Sequence, residues 1–393
     1  MSVAIPFIAA DYHLGPMAMG AVMSAFFATY ALSQIPGGLL ADKFGVRKVA
    51  TVAMLWWSVF TAVTGLAANL TQMFLVRLAF GAGEGMFPAC SLKTIAVWFP
   101  KRERSSASAI MLASNSLGAA LAPLIVVPIV SLWGWRSAFF SLFFPGVLIA
   151  LLFFIFVPNK PSESRRVSPE ELVEIEGGED AAGASPSPQV GLLKVFMAPN
   201  VPKYFLVLFT FDIAYWGFTT WLPTYLIKSR GFSAAQMGVA ASLPFLAGTV
   251  GCVIGGWVSD RYFSQSRRTP IIATQLVSAL LLYLTLTAPS AHMAVLYETM
   301  AGFFLMLFFS TFWALPMNTV PKDRMGVTSG FINMAGQIAA FISPLVMGYL
   351  IGAAKGNFDH AFIFLILSLL ASCVVVFTIP SNLQPHENVA FRG

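Results

Sequence analysis

Long apolar runs separated by short polar segments dominate the pattern of this sequence. A helix needs roughly 20 mainly apolar residues to cross a bilayer. The pattern therefore predicts eleven full transmembrane helices, preceded by an apolar fragment of about half the required length. The full runs lie at about 17–40, 49–68, 73–99, 106–132, 137–157, 203–227, 234–258, 269–288, 292–317, 326–352 and 360–379, and the fragment is at 1–10.

Composition agrees with this pattern. The chain is 57% hydrophobic and only 10% charged, with a mean hydropathy of +0.77, which is typical of an all-α polytopic membrane protein. The cysteines Cys90, Cys252 and Cys373 all fall in apolar runs, so we expect neither disulfides nor a metal site from them. The net charge of +6 is spread over short loops, which indicates membrane topology and not nucleic-acid binding.

The two halves of the chain repeat with an offset of about 220 residues. The segment 37–43 matches 255–261, with the same spacing from the first glycine to the aspartate. The prolines at 100 and 123 likewise match those at 321 and 344. Two matches at nearly one offset predict two six-helix bundles that arose by duplication.

A polar stretch, 158–200, interrupts the apolar pattern and is rich in acidic residues, Pro, Gly and Ser. It predicts a soluble linker between an N-terminal bundle at 1–157 and a C-terminal bundle at 201–380, with a tail at 381–393. The positive-inside rule places the linker and the tail in the cytoplasm. We expect a multi-pass protein of the cell (inner) membrane. The basic residues on the linker side are Lys43, Arg47, Lys48, Lys101, Arg102, Arg104, Arg165, Arg166, Arg261, Arg267, Arg268, Lys322 and Arg324.

The run at 73–99 carries two charges, Arg77 and Glu84, within its apolar sequence. A charge inside a membrane span is costly unless it faces a partner or water, so these two residues are the first functional candidates. They lie two helical turns apart, about 10 Å along the axis, which is too far for a direct bond unless both side chains extend. Gly81, Gly83 and Gly85 lie on or beside their face and would let a neighbouring helix approach closely. The alternative is a buried polar clamp with a structural role only.

The loop GGLLADKFGVRK, residues 37–48, resembles the signature between helices two and three of the major facilitator superfamily. The resemblance implies the major facilitator fold, with twelve transmembrane helices in two six-helix bundles. It also implies that the aspartate bonds a helix terminus or a basic partner in one conformation and releases it in another. The implied conformational-gating residues are Gly38, Asp42, Lys43, Gly45, Arg47, Asp260 and Arg261.

The segment 77–104 is similar to the anion:cation symporter family, a branch that moves sugar acids and other organic anions. The similarity extends over essentially the whole chain. That family usually has an Asp-Arg pair upstream of the motif that begins here at Met1. We therefore expect that this start is internal and that helix one is truncated at its N-terminus.

The resemblance implies proton-coupled symport, that is, uptake of a small organic anion such as a hexonate, hexarate or hexuronate by alternating access. The substrate site of this fold lies near the bilayer midplane between the halves. Glu84 would load and unload the coupled proton, assisted by Arg77. No prosthetic group or nucleic acid is implied, and a monomer in the lipid bilayer is expected. The implied substrate-binding residues are Tyr30, Arg77, Tyr215, Trp313, Asn333 and Gln337.

Other interpretations remain open at this point. One alternative is an aromatic or other carboxylate as the substrate, and another is sodium in place of protons as the coupling ion. A membrane sensor would need an output domain, which the linker is too short to be, and an enzyme would need a catalytic cluster that the sequence does not show. Three further charges lie in or near spans: Asp212, which could pair or titrate; Lys93, expected to snorkel to the cytoplasmic surface; and Glu298, which the repeat aligns with Arg77.

Overall fold

A computed structural model of the protein describes residues 1–100, 103–164, 166–176, 196–263, 268–320 and 325–380. Within these ranges, ten helices are long and apolar enough to cross a membrane. The helices are α1 Ile5–Asp11, α2 Pro16–Phe44, α3 Val46–Leu66, α4 Leu70–Glu84, α5 Phe87–Trp98, α6 Arg104–Trp133, α7 Trp135–Phe156, α8 Pro169–Glu176, α9 Val201–Lys228, α10 Ala234–Tyr262, α11 Arg268–Thr287, α12 Ala291–Thr319, α13 Met325–Ala353 and α14 Asp359–Phe377.

Ten of the eleven predicted spans are confirmed as single helices, but the prediction of one helix over 73–99 is wrong. The chain breaks there at Gly85 and Met86, between α4 and α5. Pro88, in the first turn of α5, has no N–H to donate to the carbonyl of Glu84, and its ring would clash with that carbonyl in a continuous helix. The Gly85 N–H instead closes α4 by bonding the Gly81 carbonyl at 2.9 Å.

The helices form two compact units. The N-terminal unit contains the described residues of 25–115 and 129–176, and in it α3 packs against α4, α5 and α7. The C-terminal unit contains residues 1–24 and 116–128 and the described residues of 196–380. In that unit α9 packs against α13 and α14, and α12 packs against α10 and α11. The domain boundaries expected from the sequence remain a prediction.

The core of the C-terminal unit is aromatic and centres on α9. Phe211 and Phe308 are fully buried and stack with ring centroids 3.6 Å apart. Trp221, also fully buried, donates its indole N–H to the Pro344 carbonyl on α13 at 3.2 Å. Large aromatic rings with a satisfied polar atom hold neighbouring helices in a single register. This packing gives α9 a defined face toward α13.

Arg230 fastens the loop after α9 to the end of α11. Its guanidinium donates to the carbonyls of Leu286 at 2.9 Å and Ala288 at 3.0 Å, and its Nε bonds the Tyr225 hydroxyl at 2.6 Å. The last carbonyls of a helix have no partner within the helix and carry partial negative charge, so a cation stabilises them. Arg230 therefore has a structural role in the C-terminal unit.

Candidate functional site

The glycines of α4 let the backbone of α2 come into direct contact with it in the N-terminal unit. A Cβ atom on Gly81 would overlap the Phe26 carbonyl, and one on Gly85 would lie 2.8 Å from the Cα of Tyr30. The Thr29 hydroxyl donates to the Leu78 carbonyl at 2.6 Å and fixes the register of the two helices. The expectation that small residues admit a neighbouring helix is confirmed.

Gly83 faces a different neighbour, which the sequence reasoning missed. Two residues along a helix turn the side chain by about 200°, so Gly83 points away from the face of Gly81 and Gly85. A Cβ there would overlap the Trp56 ring of α3, and the Trp56 indole N–H donates to the Ala79 carbonyl at 2.7 Å. Because the three glycines are two residues apart, the middle one lies on the opposite side of the helix. This spacing in the sequence indicated that α4 is packed on two sides.

Arg77 lies between α2 and α4 with its guanidinium over aromatic faces. The side chain is only 6% exposed, and its Cζ is 4.4 Å from the centroid of Phe80 and 5.2 Å from that of Phe26. Its Nε is buried and has no hydrogen-bond partner among the described residues. Such rings attract a cation but accept no strong hydrogen bond from it. The guanidinium therefore keeps its capacity to bind an anion.

Glu84 and Tyr30 belong to the same region. Glu84 is the last residue of α4 and is half-buried, as is Tyr30 on α2. Glu84 interacts electrostatically with both Arg77 and Tyr30, but in the part of the chain that the structure describes no ion pair joins Glu84 to Arg77. The structure thus brings three of the predicted site residues together in the N-terminal unit. Their roles remain predictions.

The predicted substrate-binding residues of the C-terminal unit lie on three helices. On α9, Tyr215 packs edge-on against Phe309, with centroids 5.3 Å apart. Trp313, on α12, is half-buried, and Asn333, on α13, is exposed. The Oε1 atom of Gln337 is buried without a hydrogen-bond partner in the described ranges. No hydrogen bond between described residues joins any two of these four side chains, and their roles remain predictions.

The loop signature forms an ion pair whose basic partner the sequence did not identify. The Lys93 ammonium of α5 bonds the Asp42 carboxylate at 2.5 Å and the Ala41 carbonyl at 3.0 Å. The Lys93 side chain is 35% exposed and its partner Asp42 is 70% exposed, so the expectation that Lys93 snorkels to the cytoplasmic surface stays a prediction. Lys93 also supplies the basic partner that the resemblance implied for Asp42. Lys93 is the first long cationic side chain after the Pro88 turn, and its partner could not be identified from spacing alone.

The rest of the signature joins the corner between α2 and α3 to the end of α7. Gly45 has a φ of 84°, and a Cβ there would overlap the side chain of Asn159. Arg47 donates its backbone N–H to the Asn159 Oδ1 at 3.0 Å and its Nε to the Phe154 carbonyl at 2.6 Å. Only glycine tolerates both the positive φ and the close neighbour.

The remaining signature residues make simpler contacts. A Cβ on Gly38 would lie 3.7 Å from Ala89, and Lys43 lies over the ring of Phe44 at 5.2 Å. In the second copy of the motif Arg261 is exposed, and the Asp260 side chain lies outside the described residues.

The N-terminal unit also has a cavity of about 540 Å³ beside α5. Its walls are mainly apolar and come from α3, α5, α6 and α7, including Phe87, Ile95 and Phe153. It contains neither Arg77 nor Glu84. An open apolar cleft among membrane helices suits hydrocarbon and not a charged solute, so we do not place the candidate site there.

Comparison with known proteins gives consistent matches. The family model described as Major Facilitator Superfamily matches residues 1–344. A bacterial homologue of the human lysosomal transporter Spinster, solved in an inward-facing and occupied conformation, superposes with a TM-score of 0.76 and covers 96% of this chain and 91% of its own. At 16% identity that likeness shows the fold alone.

Curated relatives match over nearly the full length. A probable sulfoacetate transporter, SauU of Cupriavidus necator, is 34% identical over 377 residues, covering 92% of this chain and 85% of that protein. A probable galactarate/D-glucarate transporter, GarP of Escherichia coli, is 30% identical over 415 residues, covering 98% and 91%. The hexuronate transporter of Bacillus subtilis is 30% identical over 386 residues, covering 96% and 87%.

Proposed function

Because this chain belongs to the major facilitator superfamily, we propose that it is a secondary active transporter that takes up a small organic anion together with protons. The likeness of 77–104 to transporters of sugar acids is matched by relatives named for galactarate, glucarate and hexuronate. The relatives named as transporters also favour transport over catalysis or sensing. The substrate class we propose is a sugar acid: a hexonate, hexarate or hexuronate.

The substrates in the relatives' names have one chemical feature in common. Galactarate, glucarate, hexuronate and sulfoacetate are small water-soluble acids, and each carries at least one carboxylate. A binding site for this group needs one fixed cation for the carboxylate and neutral donors for the remaining polar groups. Aromatic or other carboxylates would need the cation but fewer neutral donors.

The burial of the Arg77 guanidinium without an ion pair among the described residues is the observation on which this proposal rests. The guanidinium lies over two aromatic rings, and its Nε is unbonded in the same part of the chain. Burying a cation in this way is unfavourable unless an anion joins it. A carboxylate that forms two parallel hydrogen bonds with the guanidinium would supply the missing charge and acceptors.

Glu84 supplies the proposed coupling to protons. It is half-buried and two helical turns from Arg77, so its charge acts on an anion held at Arg77. Protonation of Glu84 removes that repulsion and favours anion entry, and loss of the proton favours release. A downhill proton gradient would then drive uptake by alternating access.

The Asp42–Lys93 ion pair and the Arg47 contacts are the proposed gating elements. Both tie the corner between α2 and α3 to other helices, and both are polar contacts that can break and reform as a transporter changes state. We propose that they stabilise one conformation of the transport cycle. The protein is proposed to act as a monomer in the cell membrane, with the linker and the C-terminus in the cytoplasm.

The test is transport by purified protein in liposomes. Counterflow is measured with galactarate, a hexuronate, a hexonate, sulfoacetate and an aromatic acid, and net uptake is then driven by either a proton or a sodium gradient. We expect counterflow with one or more of the sugar acids and accumulation only with the proton gradient. Accumulation driven only by sodium would overturn the coupling ion, and absence of flux with every acid would overturn the transport assignment.

A further inference from the structure

The seam between α9 and α13 in the C-terminal unit contains a buried acid that the proposed mechanism does not use. Asp212, on α9, is 4% exposed, and its Oδ1 has no hydrogen-bond partner in the described part of the chain. Its Oδ2 faces Gly336 on α13, where an added Cβ would overlap it. The carboxyl group therefore occupies space that only a glycine leaves open.

A second unsatisfied acceptor lies on α13, one residue after Gly336. Gln337 follows Gly336 directly, and its Oε1 is buried and also lacks a donor among the described residues. Two acceptor oxygens that both lack a hydrogen are an unfavourable arrangement in a low-dielectric interior. One proton bound to Asp212 would turn an acceptor into a donor and reduce the deficit.

The groups around Asp212 do not replace that proton with a charge. On α9 its titratable neighbour is Tyr215, which also interacts electrostatically with Cys252 of α10. Among the described residues of α1, α10, α12, α13 and α14, no Lys, Arg or His forms an ion pair with the Asp212 carboxyl. A buried carboxyl without a cation or a donor is more stable in its neutral form.

Glu298 on α12, a second buried acid of the C-terminal unit, has different surroundings from Asp212. It too is fully buried, and both of its carboxyl oxygens lack hydrogen-bond partners in the described ranges. However, the charge of Arg230 acts on Glu298 and compensates it in part. Asp212 has no such compensation and lies one helical turn from Tyr215, a predicted substrate-binding residue.

We propose that Asp212 is a second proton-binding site, located in the C-terminal unit against Gly336 and separate from Glu84. Its neutral form holds the α9–α13 seam together, and its ionised form requires water to reach that seam. The further statement that this proton is exchanged during transport rests on the proposed symport function.

A carbodiimide labelling experiment tests the site without measuring transport. Dicyclohexylcarbodiimide adds to protonated carboxyl groups in apolar surroundings, and peptide mass spectrometry locates the adduct. The purified full-length protein is labelled across a pH series, with and without sodium. We expect an adduct on Asp212 whose yield falls as the pH rises and does not change with sodium. No adduct at any pH would overturn the site, and protection by sodium would identify a sodium site instead.

Glycine variants of α13 provide a matched control. Gly336→Ala places a methyl group on the carboxyl and should reduce labelling of Asp212 severalfold, whereas Gly330→Ala on the same helix meets no atom within 4 Å and should leave it unchanged. Equal labelling in the two variants would overturn the assigned position. The wild-type pH series remains decisive if Gly336→Ala does not fold.

A transport measurement tests the exchange of the proton. In liposomes, the ratio of protons to galactarate or hexuronate carried is compared between the wild type and Asp212→Asn. We expect the ratio to fall by one in the variant, with counterflow retained, and an unchanged ratio would overturn the exchange. If the wild type carries no protons with either acid, the symport proposal fails, while labelling still reports on Asp212.

Discussion

Replacement of Arg77 by Gln separates a substrate-binding cation from a structural clamp. The variant removes the positive charge and keeps a polar side chain of similar length. The side chain is 6% exposed and has no ion pair among the described residues, so its attraction for a substrate carboxylate is not shared with another anion in direct contact. Loss of the charge should therefore weaken the binding of an anionic substrate.

The size of this loss follows from the arrangement of charges. A carboxylate about 4 Å from the guanidinium gains about 4 kcal/mol at an effective dielectric constant of about 20. An ionised Glu84 about 10 Å away repels the carboxylate equally in the wild type and in the variant, so it does not change the difference between them. The loss of about 4 kcal/mol corresponds to about a 1,000-fold loss of affinity.

The fold should not suffer from the same replacement. Arg77 loses contacts with Phe26 and Phe80 that are each worth about 0.5–2 kcal/mol, but the cost of burying an uncompensated charge disappears as well. We expect the melting temperature of Arg77→Gln to equal or exceed that of the wild type.

The assay combines counterflow kinetics, equilibrium substrate binding and thermal unfolding of the purified protein. Arg77→Lys should fall between the wild type and Arg77→Gln, since it keeps the charge but loses the planar fork. Lys48→Gln removes an exposed cation of the same unit and is the charge-matched control. Normal affinity in Arg77→Gln with a lowered melting temperature would show that Arg77 is a structural clamp and would refute the reasoning.

Three further predictions concern the N-terminal unit. Glu84→Gln should remove the proton carried at Glu84 and sharply lower proton-driven accumulation while leaving counterflow. Unaltered pH-driven uptake in liposomes would defeat the coupling assignment. Gly85→Ala should lower the free energy of unfolding by about 1–3 kcal/mol, because the added methyl group overlaps the α2 backbone. Gly118→Ala meets open space and should leave the free energy of unfolding unchanged. Equal melting temperatures of the two variants would contradict the close contact at Gly85. Asp42→Lys should impair transport with little change in the free energy of unfolding, because an exposed ion pair contributes at most about 1 kcal/mol. The exchange of charges in Asp42→Lys combined with Lys93→Asp should restore transport. No restoration would show that the pair has no gating role.

Much of the architecture could be predicted because the membrane imposes simple rules. Length and hydropathy identified ten spans that the structure confirms as helices. The one error, at 73–99, arose because hydropathy does not register the loss of a single hydrogen bond at Pro88. The position of that proline was visible in the sequence, but membrane helices often continue through prolines, as α2 does at Pro36. Only the folded chain shows which proline ends a helix.

The candidate site was predictable in its residue types and not in its contacts. A charge within an apolar run is costly wherever it lies, so the sequence by itself identified Arg77, Glu84 and Asp212 as residues that need an explanation. Pairing depends on which faces of separate helices meet, and that is decided by packing between residues far apart in the chain. Tertiary structure alone showed that Lys93 bonds Asp42, that Arg77 lies against rings without an ion pair in the described residues, and that Gly336 leaves room for a buried acid.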